Sequence, residues 1–98
     1  MKDEAHTYLI TYDIADDKRR SRIADVLLSY GIRVQGSVFL IEARGAKYLR
    51  MKDKVMEYFN RNQDSLIVCD LGNDSSWSAR YEKYGCYVNP TVLNENIF

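Results

Sequence analysis

Residues 7–12 read Thr-Tyr-Leu-Ile-Thr-Tyr, aromatic and β-branched, and predict a strand. Its apolar residues fall on both sides of the pleat, Tyr8, Ile10 and Tyr12 on one and Leu9 on the other. That is the pattern of a strand covered on both faces, which sits centrally in its sheet. The period then changes. Ile23, Ala24, Leu27 and Tyr30 share a stripe at helical spacing. The predicted helix runs from an N-cap at Asp16 or Asp17 to a C-terminal glycine at Gly31. Residues 33–35 and 37–42 return to strand composition, and Gly36 marks a bend, bulge or tight turn between them. One bent strand and two short strands fit equally. A second helix is expected over about residues 46–61, with Tyr48, Val55 and Phe59 at its apolar centre. Leu49, Met51 and Met56 flank that centre, the methionines as core filler. Asp64-Ser65 opens the last core strand, residues 66–71.

With two strands in the middle segment, the order is the βαββαβ of a ferredoxin-like α+β sandwich, both helices on one face of an antiparallel sheet. Strands that are apolar on both sides leave the other sheet face in need of cover. A second copy of the chain is the simplest cover, so a homodimer joined through sheet faces or edges is expected. Residues 1–71 form the ferredoxin-like core domain and 72–98 a tail. In the tail, Ser75-Ser76 can cap a short helix carrying Trp77, Arg80, Tyr81 and Tyr84, and residues 85–88 read as an extra C-terminal strand that stops before Pro90. With so many aromatics, this tail is expected to dock on the core or on the partner subunit.

A chain of 98 residues supports one domain plus a tail. No apolar run approaches the roughly 20 residues that a membrane helix requires. The polar N-terminus lacks a signal peptide, and Cys69 and Cys86 read as reduced packing residues, so a cytoplasmic location is expected. The 14 basic and 14 acidic residues cancel, which counts against broad, nonspecific affinity for nucleic acid. A local patch remains possible, and the run from Lys18 to Arg22 is one. Lys18, Arg19 and Arg20 crowd the positive end of a helix dipole, at a small cost in stability that hints at a functional reason.

Asp13, at the end of the first strand, is the candidate centre. A carboxylate is a hard oxygen ligand suited to Mg²⁺ or Mn²⁺. One carboxylate is a poor site, whereas two facing across a dimer axis, completed by water and phosphate, make a reasonable one. Asp13 can equally cap a turn or pair with Arg20. At about 100° per residue Arg20 lies over the apolar stripe and leans toward the sheet end where Asp13 sits, while Arg22 points nearly the opposite way. Tyr12 can stack on a base or fill the core. Arg33 can bind phosphate or pair with an acid such as Glu57. Phe39 reads as core, and His6, the only histidine, is a weak candidate for a general base. The chain has no Walker loop, no GxGxxG and no Cys/His zinc spacing.

Tyr12-Asp13-Ile14-Ala15-Asp16-Asp17-Lys18-Arg19-Arg20, followed by Tyr30-Gly31-Ile32-Arg33-Val34-Gln35-Gly36-Ser37-Val38-Phe39, resembles the Cas-two family of CRISPR-associated endoribonucleases, the second of the universal CRISPR adaptation proteins. The spacing between the blocks and the Asp64-Ser65 pair also match, over about residues 7–71. The resemblance implies a ferredoxin-like homodimer in which Asp13 of both subunits binds a divalent metal, Mg²⁺ or Mn²⁺, in the cleft between them. It implies a metal-dependent endonuclease acting on single-stranded RNA, duplex DNA or both. Tyr12 and Asp13 would be catalytic. Lys18, Arg19, Arg20, Arg22, Arg33 and Phe39 would lie along the nucleic acid. It implies equally a non-catalytic role as the DNA-binding centre of the spacer-integration complex, bridging dimers of the CRISPR integrase in antiviral defence. A related ribonuclease toxin on the same fold is a third, weaker option. Gly36 departs from the family, which often has a larger residue there, and the tail from Gly72 matches no family motif.

Overall fold

The computed structural model of the chain describes residues 4–85. Six elements form the core: β1 (His6–Asp13), α1 (Asp17–Leu28), β2 (Gly31–Gln35), β3 (Val38–Ala43), α2 (Gly45–Met56) and β4 (Ser65–Asp70). The strands form one antiparallel sheet in the order β2-β3-β1-β4, the ferredoxin-like arrangement. The middle segment is therefore two strands, joined by a tight turn at Gly36 and Ser37. A register shift between Arg33 and Gln35 puts a bulge just before it.

β1 is central, as its two-sided apolar pattern requires. Ile10 faces Phe39 on one neighbour and Val68 on the other. Its pairing with the last strand continues past Asp70, because the Leu71 N–H donates to the Thr7 carbonyl at 2.8 Å and the Thr7 N–H to the Gly72 carbonyl at 2.9 Å. Ile10, Tyr12, Phe39, Ile41 and Ala43 turn toward the helices and close on Ile23, Ala24 and Leu27 of α1 and Met51 and Val55 of α2. Phe39, Ile10, Ile23, Leu27, Ile41 and Val55 are fully buried, and each such side chain contributes about 1.5–3 kcal/mol by leaving water.

Asp16 is the N-cap of α1, its carboxylate accepting the Arg19 N–H at 2.9 Å. The other end of α1 differs from the expectation. The helix closes at Ser29, which stays right-handed and whose hydroxyl donates to the Val26 carbonyl at 2.7 Å. Gly31 is not a helix cap but the first residue of β2, opposite Ile41. A Cβ there would sit 2.2 Å from the Leu40 carbonyl oxygen, so glycine is required by close strand approach. α2 ends at Met56 rather than near Arg61. Residues 57–63 turn instead, because the Asn60 N–H is taken by the Asp64 carboxylate at 2.8 Å and the Asn62 N–H by the Asn60 side chain.

Alternation along the strands places Leu9, Thr11, Val38, Leu40, Ile67 and Ile32 on the sheet face away from the helices. Ile32 and Ile67 are 62% and 61% exposed there. In the tail, Ser76–Arg80 forms a 3₁₀ turn, and Trp77 packs edge-on against Tyr81 at 5.7 Å. The expected strand at residues 85–88 lies, after Gly85, outside the described residues. No helix among the described residues is long and apolar enough to cross a membrane.

The tight fit at Gly31 predicts that Gly31→Ala lowers stability by about 1–3 kcal/mol, the range for overpacking. In thermal unfolding this corresponds to a fall in Tm of at least about 4 °C. An unchanged Tm would mean that β2 and β3 separate at no cost.

Candidate nucleic-acid and metal site

Tyr12 and Asp13 are neighbours in β1, and strand alternation sends them to opposite sides of the sheet. Tyr12 is buried on the helix side, its ring 5.7 Å from that of Phe39. Asp13 is exposed on the open side, opposite Ser65. Among the described residues no group donates a hydrogen bond to the Asp13 carboxylate, so both its oxygens are available to a hard cation. Within one chain no three or more His, Cys, Asp and Glu side chains among the described residues gather as a metal site. Asp13 by itself thus has the chemistry of a single hard-cation ligand.

Arg20 reaches back to the end of β1, as its helical phase predicts. Its Nε and Nη2 donate to the Ile14 carbonyl at 3.2 and 3.0 Å, and its Nη1 to Asp17 at 2.6 Å. The residue following Asp13 is therefore held by the first turn of α1. Arg33 lies over the buried ring of Phe39 at 5.0 Å, and its Nε is buried without a partner. Tyr12, Arg20 and Arg33, with Ser21 and Asp25, line a groove of about 260 Å³ between α1 and the β2–β3 turn. The expected residues therefore form two groups at one end of the sheet: Asp13 on the open face, and Tyr12, Arg20, Arg33 and Phe39 on the helix side.

The rest of the basic cluster divides. Lys18 is exposed. Arg22 is exposed and stands 5.9 Å from the Tyr58 ring, toward α2. Arg19 turns inward and pairs with Asp64 at 2.9 Å, with a further bond to Gln63 at 3.3 Å. Its guanidinium is committed to the protein, unlike that of Arg22.

Asp64, read in the sequence only as the opening of the last strand, has a structural role that the sequence did not show. Its carboxylate is wholly buried and accepts from the Ala15 N–H at 3.0 Å, the Asn60 N–H at 2.8 Å and Arg19. It ties the loop before β4 to the loop that carries Asp13 into α1. Burial pushes its pKa up, but the Ala15 and Asn60 N–H groups and the Arg19 charge outweigh burial and hold it below the ordinary 3.8. At the far end of β1, His6 Nδ1 lies 2.9 Å from both oxygens of Asp70. The Gly72 N–H and His6 lower the Asp70 pKa. The lone histidine thus stands at the opposite end of β1 from Asp13.

Sheet order, helix placement and an open carboxylate beside an arginine-bearing helix start define a ferredoxin-like protein with an acid-and-arginine site. The family model of CRISPR associated protein Cas2 matches residues 6–79. The chain is 41% identical over 59 residues to CRISPR-associated endoribonuclease Cas2 3 of Synechocystis sp., a match covering 60% of this chain and 64% of that relative. It is 35% identical over 82 residues to CRISPR-associated endoribonuclease Cas2 of Chlorobaculum tepidum, covering 79% and 83%. Among solved structures, Streptococcus pyogenes Cas2 superposes with a TM-score of 0.72 at 30% identity, over 81% of this chain and 99% of that one. The chain belongs to the Cas2 family. It spans just under two-thirds of the length of the Synechocystis relative that it matches.

Asp64 generates a pH prediction. Its folded pKa is depressed, so the stability it contributes is present above the unfolded pKa and is lost as pH falls through the folded value. Asp64→Asn removes that contribution and sets an amide N–H₂ against backbone donors. The Tm gap between the chain and Asp64→Asn should be full near neutral pH and close as pH drops below about 4. A gap that stays constant down to acid pH would show that the charge on Asp64 adds nothing.

Proposed function

We propose that this protein is a divalent-metal-dependent endonuclease of CRISPR adaptation, cutting the phosphodiester backbone of single-stranded RNA or duplex DNA as a homodimer. The exposed, unengaged Asp13 carboxylate at the end of β1 carries the reading. It lies on the same sheet face as Leu9, Leu40 and Ile67, and a second copy covering that face would bring a second Asp13 toward it. The names of the endoribonuclease relatives support the activity.

A bound Mg²⁺ or Mn²⁺ would supply Lewis acidity and a more acidic water. The chain's own residues do the rest. Asp13 presents its oxygens at a fixed strand end. Arg20 fixes the Ile14 carbonyl, and Asp64 fixes the Ala15 N–H, so the backbone after Asp13 cannot swing. Such positioning matters because small misplacements of a reacting group are expensive in catalysis. Arg33 and the exposed Lys18 and Arg22 offer charge to phosphate oxygens, while Arg20 holds the backbone beside them. Tyr12 supports this arrangement from within the core, its ring packed on Phe39.

One observation favours the second reading, a non-catalytic DNA-binding scaffold that bridges integrase dimers. Arg22 and the arginine-lined groove are on the helix side, whereas Asp13 is on the other face of the sheet. Duplex held by the helix layer need not reach Asp13.

Under the first reading, Asp13→Ala lowers cleavage of labelled RNA or duplex by at least about 100-fold, and EDTA abolishes it in the unaltered chain. Cleavage that survives both treatments sinks the metal-dependent reading. Under the scaffold reading, Asp13→Ala retains spacer acquisition in cells while Arg20→Glu with Arg22→Glu loses it.

A further inference from the structure

The groove between α1 and the β2–β3 turn brings together a cation and an acid that do not neutralise each other. Ser21, Asp25 and Leu28 line it from α1, at successive spacings of four and three residues that keep them on one stripe of the helix. Arg33 and Gly36 line it from β2 and the turn, and Tyr12 from β1. At the start of α1 the charges are already committed, since Arg20 is bonded to Asp17 and to the Ile14 carbonyl.

Arg33 and Asp25 differ from that pair. Among the described residues no ion pair joins them, and neither side chain makes a hydrogen bond. The Nε of Arg33 is nonetheless buried. A buried guanidinium N–H without an acceptor is costly, so the group is suited to an acceptor brought by a ligand. The buried Phe39 ring holds the guanidinium at 5.0 Å, which keeps its donors in place without an acid partner. The groove mouth is open at Gly36, where an added Cβ would meet nothing within 4 Å. At about 260 Å³ the groove is just below the usual range of small-ligand sites, which suits one planar ring. Leu28 and Tyr12 offer apolar surface to the faces of such a ring.

A ligand for this groove must bring acceptors to Arg33 and donors to Asp25. Among the four nucleobases only guanine carries both in adjacent pairs, with O6 and N7 accepting on one edge and N1–H and N2–H₂ donating on the next. Arginine to O6 and N7 is the commonest base-specific contact of proteins, and a carboxylate accepts from two adjacent N–H donors. We infer that the groove reads one unpaired guanine of a nucleic-acid strand, Arg33 donating to O6 and N7 and Asp25 accepting from N1–H and N2–H₂. The inference rests on the nucleic-acid reading proposed above, names the base it takes, and gives Arg33 a narrower role than contact with phosphate. N1–H and N2–H₂ are engaged in Watson–Crick pairs, so the guanine must come from a single strand, a frayed end or an extruded nucleotide. An intact duplex does not present it.

The test titrates the full chain in EDTA with 5′-mononucleotides and follows ¹H–¹⁵N chemical shifts. GMP, AMP, CMP and UMP share one phosphate, so differences among them report the base alone. GMP should bind at least about tenfold more tightly than the other three, shifting the amides of Ser21, Asp25 and Gly36. Inosine monophosphate, which lacks N2–H₂, and 7-deaza-GMP, which lacks N7, should each bind several-fold more weakly than GMP. Asp25→Ala, a change at an exposed helix position, should leave Tm unaltered and erase the preference for GMP over inosine monophosphate. Arg33→Gln should erase the preference over 7-deaza-GMP, and Gly36→Leu, by filling the mouth, should abolish GMP binding. Equal affinity for the four nucleotides overturns the assignment, as does absence of binding, preference for another base, or a full GMP preference in Asp25→Ala. No metal or cleavage enters the measurement. RNA cleavage by a chain without base preference removes this assignment and leaves the endonuclease proposal, whereas a guanine preference in a chain that cuts nothing does the reverse.

Discussion

The site depends on a strand geometry that allows no compromise. Successive residues of β1 must point to opposite faces of the sheet. Tyr12 enters the core against Phe39, so Asp13 must leave on the open side. The deeper the burial on one side, the more firmly the carboxylate is presented on the other, because a one-residue slip would drive Asp13 into the apolar core. The packing of Ile10, Tyr12, Phe39 and Ile41 is thus also what aims the acid.

Strand geometry alone cannot hold the last residue of a strand, where the ladder stops. Two polar devices take over. Arg20 reaches back from α1 to the Ile14 carbonyl, and Asp64 reaches across from the far loop to the Ala15 N–H. The groups flanking Asp13 are held by partners from two elements distant in sequence. A buried carboxylate is tolerated at Asp64 because two N–H groups and a guanidinium meet it, so its charge is compensated rather than stranded.

Most of the fold was legible, because it is written in periods. The switch from two-residue to helical spacing placed both helices and the first and last strands, the middle segment stayed open between one bent strand and two until the pairing of β2 with β3 settled it, and the two-sided apolar pattern of the first strand correctly made it central. The misses have physical reasons. Gly31 carries the composition of a helix stop, yet its role is set by the Leu40 carbonyl that approaches it from β3, a contact no local pattern records. The second helix stops early because Asp64 captures the Asn60 N–H, again a tertiary event. Within the candidate site, the place of Asp13 at the end of β1, the reach of Arg20 toward it and the burial of Phe39 were legible. Arg19 was grouped with its basic neighbours because consecutive cations look alike in sequence, and only the buried Asp64 separates its structural role from that of exposed Arg22. Lys47, Arg50 and Lys54 of α2 went unread for the opposite reason. These cations are never adjacent, and they gather only when wound at helical spacing.

That contrast bears on how a neutral protein can bind a polyanion. A run such as Lys18 to Arg22 concentrates charge in sequence, but two of its members are drawn into ion pairs, Arg19 with buried Asp64 and Arg20 with its helix neighbour Asp17. Among the described residues, Lys47, Arg50 and Lys54, spaced along one flank of α2, form no ion pair and keep their charge for solvent. Net charge measures neither. What governs attraction to phosphate is the local surplus left after internal pairing, and here that surplus lies on the helix layer while the free acid lies on the open sheet face. The unpaired cations and the free carboxylate therefore stand on opposite faces of the sheet, so a change to one need not disturb the other.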